Sequence, residues 1–338
     1  MNLIPDEDEL AIIAAVEELV ERAFPRERIR ARAAERDAAP PDVWASVAEI
    51  GLFGLGLAED HGGVGLGLAQ EALAYRELGR GIASGPFLAC SLAARVAAHV
   101  GDASLLGELL EGGTQVGLGV LRAGATLQDG VLRGDIHLID ATAADLVLVV
   151  HETETALFGR ADLGAIAAAD SIDPGVRLEK TTVPGATAVA RVAGPDLRTR
   201  ALVLSAAYLA GIAEAARDMS VSHAKVREQF GRPIGVNQAI KHRCADMAVQ
   251  AEAATSQSLY AAAAEDARFD DARFQAEVAI RIAGQAAVQN SQETIQVLGG
   301  IGFTWEHDAH LSVKRARLWT SVFGADAGRA LILAQEPA

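Results

Sequence analysis

The sequence predicts an α+β fold, mainly α: an N-terminal helical domain over residues 1–114, a small middle β-domain over 115–197, and a C-terminal bundle of four-helix type over 198–338. Three observations predict it. Apolar residues recur at three-to-four spacing through both ends of the chain. Between about Gln115 and Val192 that period gives way to short Val/Leu/Ile runs broken by Gly, Asp and Pro. Half of the residues are hydrophobic yet only 4% are aromatic, so the core has to be assembled from Ala, Leu, Val and Ile, a composition that suits closely approaching helices.

Asp6 and Asp8 precede Leu10, Ile13, Val16, Leu19 and Val20, the pattern of an amphipathic helix with an acidic start. Pro40 and Pro41 stand before Asp42, Val43 and Trp44 and open a second helix. Gly51 to Gly67 is too rich in glycine for a helix and reads as a loop, either a connector or a surface facing a substrate. Helical spacing resumes from Glu71 to Leu78 and from Leu88 to Val100. Strands are expected at Val116–Leu121, Val131–Ile139, Leu146–Val150 and Thr187–Val192. Beyond Pro195, Leu202, Leu209, Ile212 and Ala216 mark one face of a long helix that stops at Gly231 and Pro233. The next opens at Asn237 and sets Ile240, Cys244 and Met247 on one stripe. The last long helix carries Val278, Ile282 and Val288. Its glutamines Gln285, Gln289, Gln292 and Gln296 share one face, a polar side for solvent or for a partner subunit.

A net charge of -15 and a pI near 5.0 argue against nucleic acid or an anionic membrane as partner. Cys90 and Cys244 are the only cysteines, and neither stands in a C-x-x-C or Cys/His cluster, so no disulfide framework and no metal site is expected. The start, M-N-L-I-P-D-E-D-E-L, is acidic where a signal peptide is basic, and no apolar run reaches about 18 residues. A cytoplasmic protein without membrane insertion is the expectation.

Two stretches suit a ligand. In Q-V-L-G-G-I-G-F-T-W-E, Gly299, Gly300 and Gly302 follow a helical pattern carrying Gln296, and a second one resumes near His307 with the basic residues Lys314, Arg315 and Arg317. A helix end so poor in side chains leaves backbone open to close approach, although a plain C-cap and turn accounts for two of the glycines equally well. In R-E-Q-F-G-R-P-I-G-V-N-Q (Arg227 to Gln238), an Arg, an aromatic and a Gly end one helix and Gln238 follows two turns later. Charge-assisted donors, a stacking face and an amide suit a phosphate and an adenine, while a solvated Arg at a helix C-terminus is the plainer reading.

The order of these regions resembles the acyl-CoA dehydrogenase family along almost the whole chain. So do A-G-I-A-E-A-A-R-D ahead of R-E-Q-F-G, the Q-V-L-G-G-x-G segment, and G-L-F-G-L-G-L-A-E-D-H-G-G-V-G followed by R-E-L-G-R. The resemblance implies FAD at a dimer interface, with the flavin ring against the β-domain of one subunit and the ADP half against helices of its neighbour. At matching positions, Arg227, Gln229 and Phe230 would meet the pyrophosphate region with Gln238 nearby. Gln296, Gly299 and Gly300 would meet the adenosine end. Members oxidise an acyl-CoA to its α,β-enoyl form: a glutamate takes the α-proton, the flavin takes a hydride from the β-carbon, and electrons pass to an electron-transfer flavoprotein or similar acceptor.

The chain departs from the family at the chemistry. The usual base position falls on Phe323, followed by Gly324, and the position used by some members falls on Ala201, beside Leu202. Neither holds a carboxylate, so no catalytic residue is assigned; Asp326 and Glu306 are the nearest acids in sequence. In the β-domain, G-L-G-V-L-R-A-G-A (Gly117 to Ala125) stands where the family has T-E-P-x-x-G-S-D, and Leu138 and Asp140 stand where W-I-T-N supplies Trp and Thr. An Asp there would face the charge that builds on a reduced flavin. The expectation is therefore the base-less subunit of a hetero-oligomer, an α2β2 assembly with two FAD. A second acyl-CoA dehydrogenase subunit would supply the catalytic Glu and most of the substrate site for a bulky, steroid-like acyl-CoA. An active homo-oligomer with a relocated base such as Asp326, and a non-enzymatic acyl-CoA or protein-binding module, remain open.

Overall fold

The computed structural model describes residues 5–31 and 41–323. The helices are α1 (Glu7–Ala23), α2 (Arg26–Ala31), α3 (Pro41–Glu49), α4 (Leu68–Arg80), α5 (Phe87–Val100), α6 (Ala103–Leu110), α7 (Asp196–Val226), α8 (Gln238–Asp266), α9 (Ala272–Leu298) and α10 (Ala309–Val322). The strands are β1 (Val116–Leu121), β2 (Thr126–Gln128), β3 (Val131–Ile139), β4 (Leu146–Val150), β5 (Glu154–Gly159), β6 (Ala167–Ala169), β7 (Leu178–Thr187) and β8 (Ala190–Ala193), followed by the two-residue strands β9 (Glu228–Gln229) and β10 (Arg232–Pro233). The chain divides into two compact units, each discontinuous in sequence.

One unit holds the described parts of Met1–Glu21, Ala72–Ala83 and Leu202–Ala338. Helix α1 begins with a reciprocal cap: Glu9 N–H donates to Asp6 Oδ1 (2.9 Å) and Asp6 N–H to Glu9 Oε2 (3.0 Å), which satisfies two amides the helix cannot. Val16, Leu19 and Val20 are buried as their spacing requires, whereas Leu10 remains exposed. Along α7, Leu202, Leu209, Ile212 and Ala216 all lie in the core. Helices α4 and α7 touch through glycine. A methyl on Gly79 would collide with the Tyr208 carbonyl, and one on Gly211 with the Arg76 carbonyl. Arg80 closes the same crossing, donating to Glu214 (2.8 Å) and Asp218 (3.0 Å).

On α9 the core stripe is Ala276, Ala279, Ala283, Ala286 and Ala287, while Val278, Ile282 and Val288 are only half-buried. Small side chains let α8 and α9 approach closely, and the branched residues are displaced to the flanks. Asn290 ties three helices by donating to the carbonyls of Ala213 (3.1 Å) and Met247 (2.9 Å). Arg315, expected within a basic patch, is instead 1% exposed. It donates to the carbonyls of Ile82 (2.7 Å) and Ala83 (2.8 Å) and to the Tyr208 hydroxyl (2.5 Å). The two carbonyls follow α4, where Ile82 takes a φ of 48°.

The other unit holds the described parts of Arg22–Glu71 and Ser84–Ala201. Helix α3 inserts Trp44 against Phe53 and Phe87, with ring centroids 5.1 and 5.4 Å away. The sheet runs β6-β7-β3-β1-β4-β5-β8 with β2 on β3; β1 and β4 are parallel and the other pairs antiparallel. Leu132, Ile136, Leu138, Val147, Val149, Phe158 and Val183 fill one side. Helix α5 packs on β1, β4, β5 and β8. The expected strand Thr187–Val192 is in fact the turn between β7 and β8 with the start of β8. Strands β5 and β7 had been unforeseen. On β7 only Thr181, Val183 and Ala186 are buried, so its alternation is masked by polar residues and by Pro184 and Gly185.

Candidate functional site

Helix α7 ends at Val226, earlier than Gly231, because Glu228–Gln229 pairs with Arg232–Pro233 as a hairpin. Its two-residue turn is Phe230 (φ 53°) and Gly231 (φ 75°), the pairing of positive φ angles that matches strand twist. Positive φ is ordinary for Gly231 and strained for Phe230. The outcome is a ring that is 99% exposed. Arg227 and Gln229 are also exposed, and the Arg227 guanidinium has no hydrogen-bond or ion-pair partner among the described residues. Gln238 opens α8 on the surface, 3.4 Å from His242 Nε2.

At the other end of the pattern, Gln296 is exposed on the last turn of α9, as are Gln285, Gln289 and Gln292. Gly299 caps the helix at φ 66°, its N–H donating to the Ile295 carbonyl. A side chain on Gly299 or Gly300 would meet nothing within 4 Å, so open space lies over the backbone there. Gly302 differs: its added Cβ would lie 3.0 Å from the Ile295 carbonyl, which makes it a packing glycine. Beyond the break, Trp305 stacks on His310 (4.6 Å, 16°) with Lys314 Nζ 4.4 Å from its ring.

The structure brings both stretches to one end of the helical unit. Ser220 near the end of α7 bonds Thr294 near the end of α9 (3.0 Å), and Arg243 in the second turn of α8 pairs with Glu293. Arg227 and His307 both act on His223, whose imidazole is pushed below its usual value of 6.5 by burial first, then by these two neighbours. His223 and His307, unlike the motif residues, carried no signal in the sequence beyond the one-turn spacing of His223 and Arg227.

The two base positions are now located. Phe323 is the C-cap of α10, and Ala201 and Leu202 are fully buried within α7. Glu306 is exposed, and Asp326 and Gly324 lie outside the described residues. In the sheet, Leu138 points into the core with Ile136, and Asp140 does not stand free to face a ring. Asp140 ends β3 at φ 49°, accepts from Arg177 N–H (2.9 Å) and donates its own N–H to the Arg177 carbonyl (2.9 Å). Gly117 to Ala125 supplies strand β1 and a turn closed by Ala125 N–H on the Arg122 carbonyl (2.9 Å).

A cluster around the Gly51–Gly67 loop had escaped sequence reasoning. Glu71, 2% exposed, pairs with both Arg95 and Arg200, and Gly56 lies so close that a Cβ would strike this group. The three charges are far apart in sequence, so no local pattern marks them. Both thiols are poor nucleophiles: burial pushes Cys90 up to about 12 and raises Cys244 as well. Among the described residues, no group of His, Cys, Asp and Glu could hold a metal ion, and no helix is long and apolar enough to cross a membrane.

Residues 6–112 match the acyl-CoA dehydrogenase N-terminal domain, and residues 198–336 match the acyl-CoA dehydrogenase C-terminal domain. Acyl-CoA dehydrogenase FadE34 of Mycobacterium tuberculosis is 36% identical over 292 residues, which cover 81% of this chain and 39% of that protein. The chain thus spans about two fifths of FadE34. Acyl-CoA dehydrogenase IpdE2 of the same organism is 33% identical over 317 residues, covering 93% of this chain and 92% of IpdE2. The solved Tcur3481-Tcur3483 steroid ACAD shares the fold, with a TM-score of 0.83 at 24% identity and 96% coverage of each chain.

Proposed function

This chain belongs to the acyl-CoA dehydrogenase family, and from that premise we propose that it is the non-catalytic subunit of an FAD-dependent acyl-CoA dehydrogenase. One observation carries the reading: the residues suited to a neighbour's dinucleotide are bare, while the positions suited to a base hold Phe323, Ala201 and Leu202. The unpaired Arg227, the exposed Phe230 and the open backbone of Gly299 and Gly300 fit the ADP half of FAD. Leu138 in the core and Asp140 bonded to backbone offer no donor for the ring half. FAD, when bound, supplies the acceptor for the hydride that leaves the acyl β-carbon.

In this arrangement Arg227 holds a phosphoryl oxygen by charge-assisted bonds, Phe230 offers a stacking face, and Gln229 and Gln238 give amide contacts. Gln296 and the Gly299–Gly300 backbone hold the adenosine end. The partner subunit contributes the glutamate that takes the α-proton, and reducing equivalents leave to an electron-transfer flavoprotein or similar acceptor. An α2β2 assembly has one FAD for every two chains. A bulky, steroid-like acyl-CoA is the proposed substrate, supported by the name of the solved steroid ACAD with the same fold.

Co-expression with an acyl-CoA dehydrogenase that retains its glutamate tests this. Half an FAD per chain, with turnover only in the pair, is expected. Should the chain purified alone bind one FAD per chain and bleach with an acyl-CoA, the active homo-oligomer replaces this reading. A chain that stays colourless in every pairing points instead to a binding module.

A further inference from the structure

A groove of about 390 Å³ opens between the end of α7, residues 233–236 and the start of α8. None of Arg227, Gln229, Phe230, Gln238 and Gln296 lines it. The two helices contribute alike: Val221, Ala224 and Lys225 share one face of α7, and Ile240, Lys241 and Cys244 come together on α8. Ala224 is buried, Val221, Ile240 and Cys244 are half-buried, and both lysines are exposed, which sets the apolar groups deep and the ammonium groups at the mouth. The third side is backbone held in place. Ile234 N–H donates to the Arg227 carbonyl (2.8 Å), Asn237 N–H to the Ile234 carbonyl (3.0 Å) and Lys241 N–H to the Asn237 carbonyl (3.1 Å). Gly235 rests so close to α7 that a Cβ would lie 2.8 Å from the Ala224 carbonyl. The groove is therefore preformed by the backbone.

Acids outnumber bases 45 to 30 in the chain, yet neither Lys225 nor Lys241 has a hydrogen-bond or ion-pair partner among the described residues. Two unpaired cations at the mouth of an apolar groove suit a molecule with an anionic head and a hydrocarbon tail. A bare inorganic anion would leave the apolar wall unfilled, and a neutral hydrocarbon would leave both ammonium groups unused. A peptide segment fits poorly, because the hydrocarbon and thiol side chains of the wall cannot satisfy its backbone N–H and C=O groups. We propose that the groove binds a medium-chain carboxylate. The tail lies against Val221, Ala224 and Ile240, and the head sits between Lys225 and Lys241. This site is independent of the flavin reading and needs neither a partner subunit nor FAD.

Calorimetric titration of the full chain with decanoate, decanol and acetate, kept below the concentration at which decanoate forms micelles, tests this. Decanoate should bind, decanol should bind about ten-fold more weakly, and acetate should give no signal. Lys225→Met and Lys241→Met should each weaken decanoate about three-fold and leave decanol unchanged. Val236 also lines the groove and is 45% exposed, so Val236→Glu adds a carboxylate there without disturbing the core. It should weaken decanoate about ten-fold. Cys244 reports the location: bound decanoate should slow its labelling by a maleimide in alkaline buffer, which the burial-raised thiol requires. Cys90, at 0% exposure, stays unlabelled. A thermal melt checks each variant; should one fail to fold, protection of Cys244 in the unaltered chain decides. The proposal is overturned if decanoate does not bind, if it binds and leaves Cys244 labelling unchanged, or if binding ignores both lysines. Protection of Cys244 by a co-expressed partner but not by decanoate would make the groove an interface and would also overturn it.

Discussion

Phe230 separates stability from function more sharply than any neighbour, because its ring is 99% exposed and contributes nothing to the core. Phe230→Ala should change the chain's stability by less than about 0.5 kcal/mol. It should weaken flavin in the assembled pair about three- to ten-fold, the worth of a lost stacking face, as a flavin titration reads. Arg315 is the opposite case. Arg315→Met leaves the Ile82 and Ala83 carbonyls without this donor and should cost about 3 kcal/mol in a denaturant titration. Tyr208→Phe, which removes one member of that group, should cost about 1 kcal/mol. His137 carries a pH effect: burial, then Arg122 and Lys180, push its imidazole below 6.5. The unfolded chain therefore takes up this proton more readily than the folded one. Stability falls as pH drops through 6.5 and levels off below the folded value. His137→Asn should flatten that slope in denaturation curves collected across the interval, and an unchanged slope would assign it to other groups.

Helices are where pattern and packing agree most closely, and α4 with α7 shows what pattern leaves out. Leu202, Leu209 and Ile212 announce a buried face at helical spacing, but nothing in that spacing says that Gly79 and Gly211 let two backbones touch. Gly79→Ala or Gly211→Ala should separate the helices and cost about 2 kcal/mol or more, seen as a lower melting temperature. The same blind spot explains α9, whose core stripe of alanines was hidden behind the more conspicuous Val278, Ile282 and Val288. Among strands, β1, β3 and β4 were legible to the residue because burial on one or both sides keeps them apolar. Strand β7 was not: half of it faces outward, and Pro184 and Gly185 interrupt it.

For the molecule as a whole, composition and period were enough to expect helices at both ends and strands between, because those features depend on local spacing. The two stretches of the candidate site could be singled out for the same reason, since within each of them the motif residues stand a few positions apart. The Glu71, Arg95 and Arg200 cluster and the approach of His307 to His223 were not, since long-range folding alone brings them together. At this scale the shared-site reading predicts a linkage: FAD should raise the melting temperature of the pair and leave that of the isolated chain nearly unchanged. Val226, Phe230, Ile301 and Phe303 stay on the outside of the helical unit, and a cell's quality control meets such residues before any substrate does. If a partner subunit covers them, as proposed, chain made in excess of it should be degraded or clump, whereas chain made in equal numbers with it should persist. On the proposed shared-site reading, the bare end of the bundle makes gene dosage matter, and a pulse-chase with and without the proposed partner should show the lifetimes diverge.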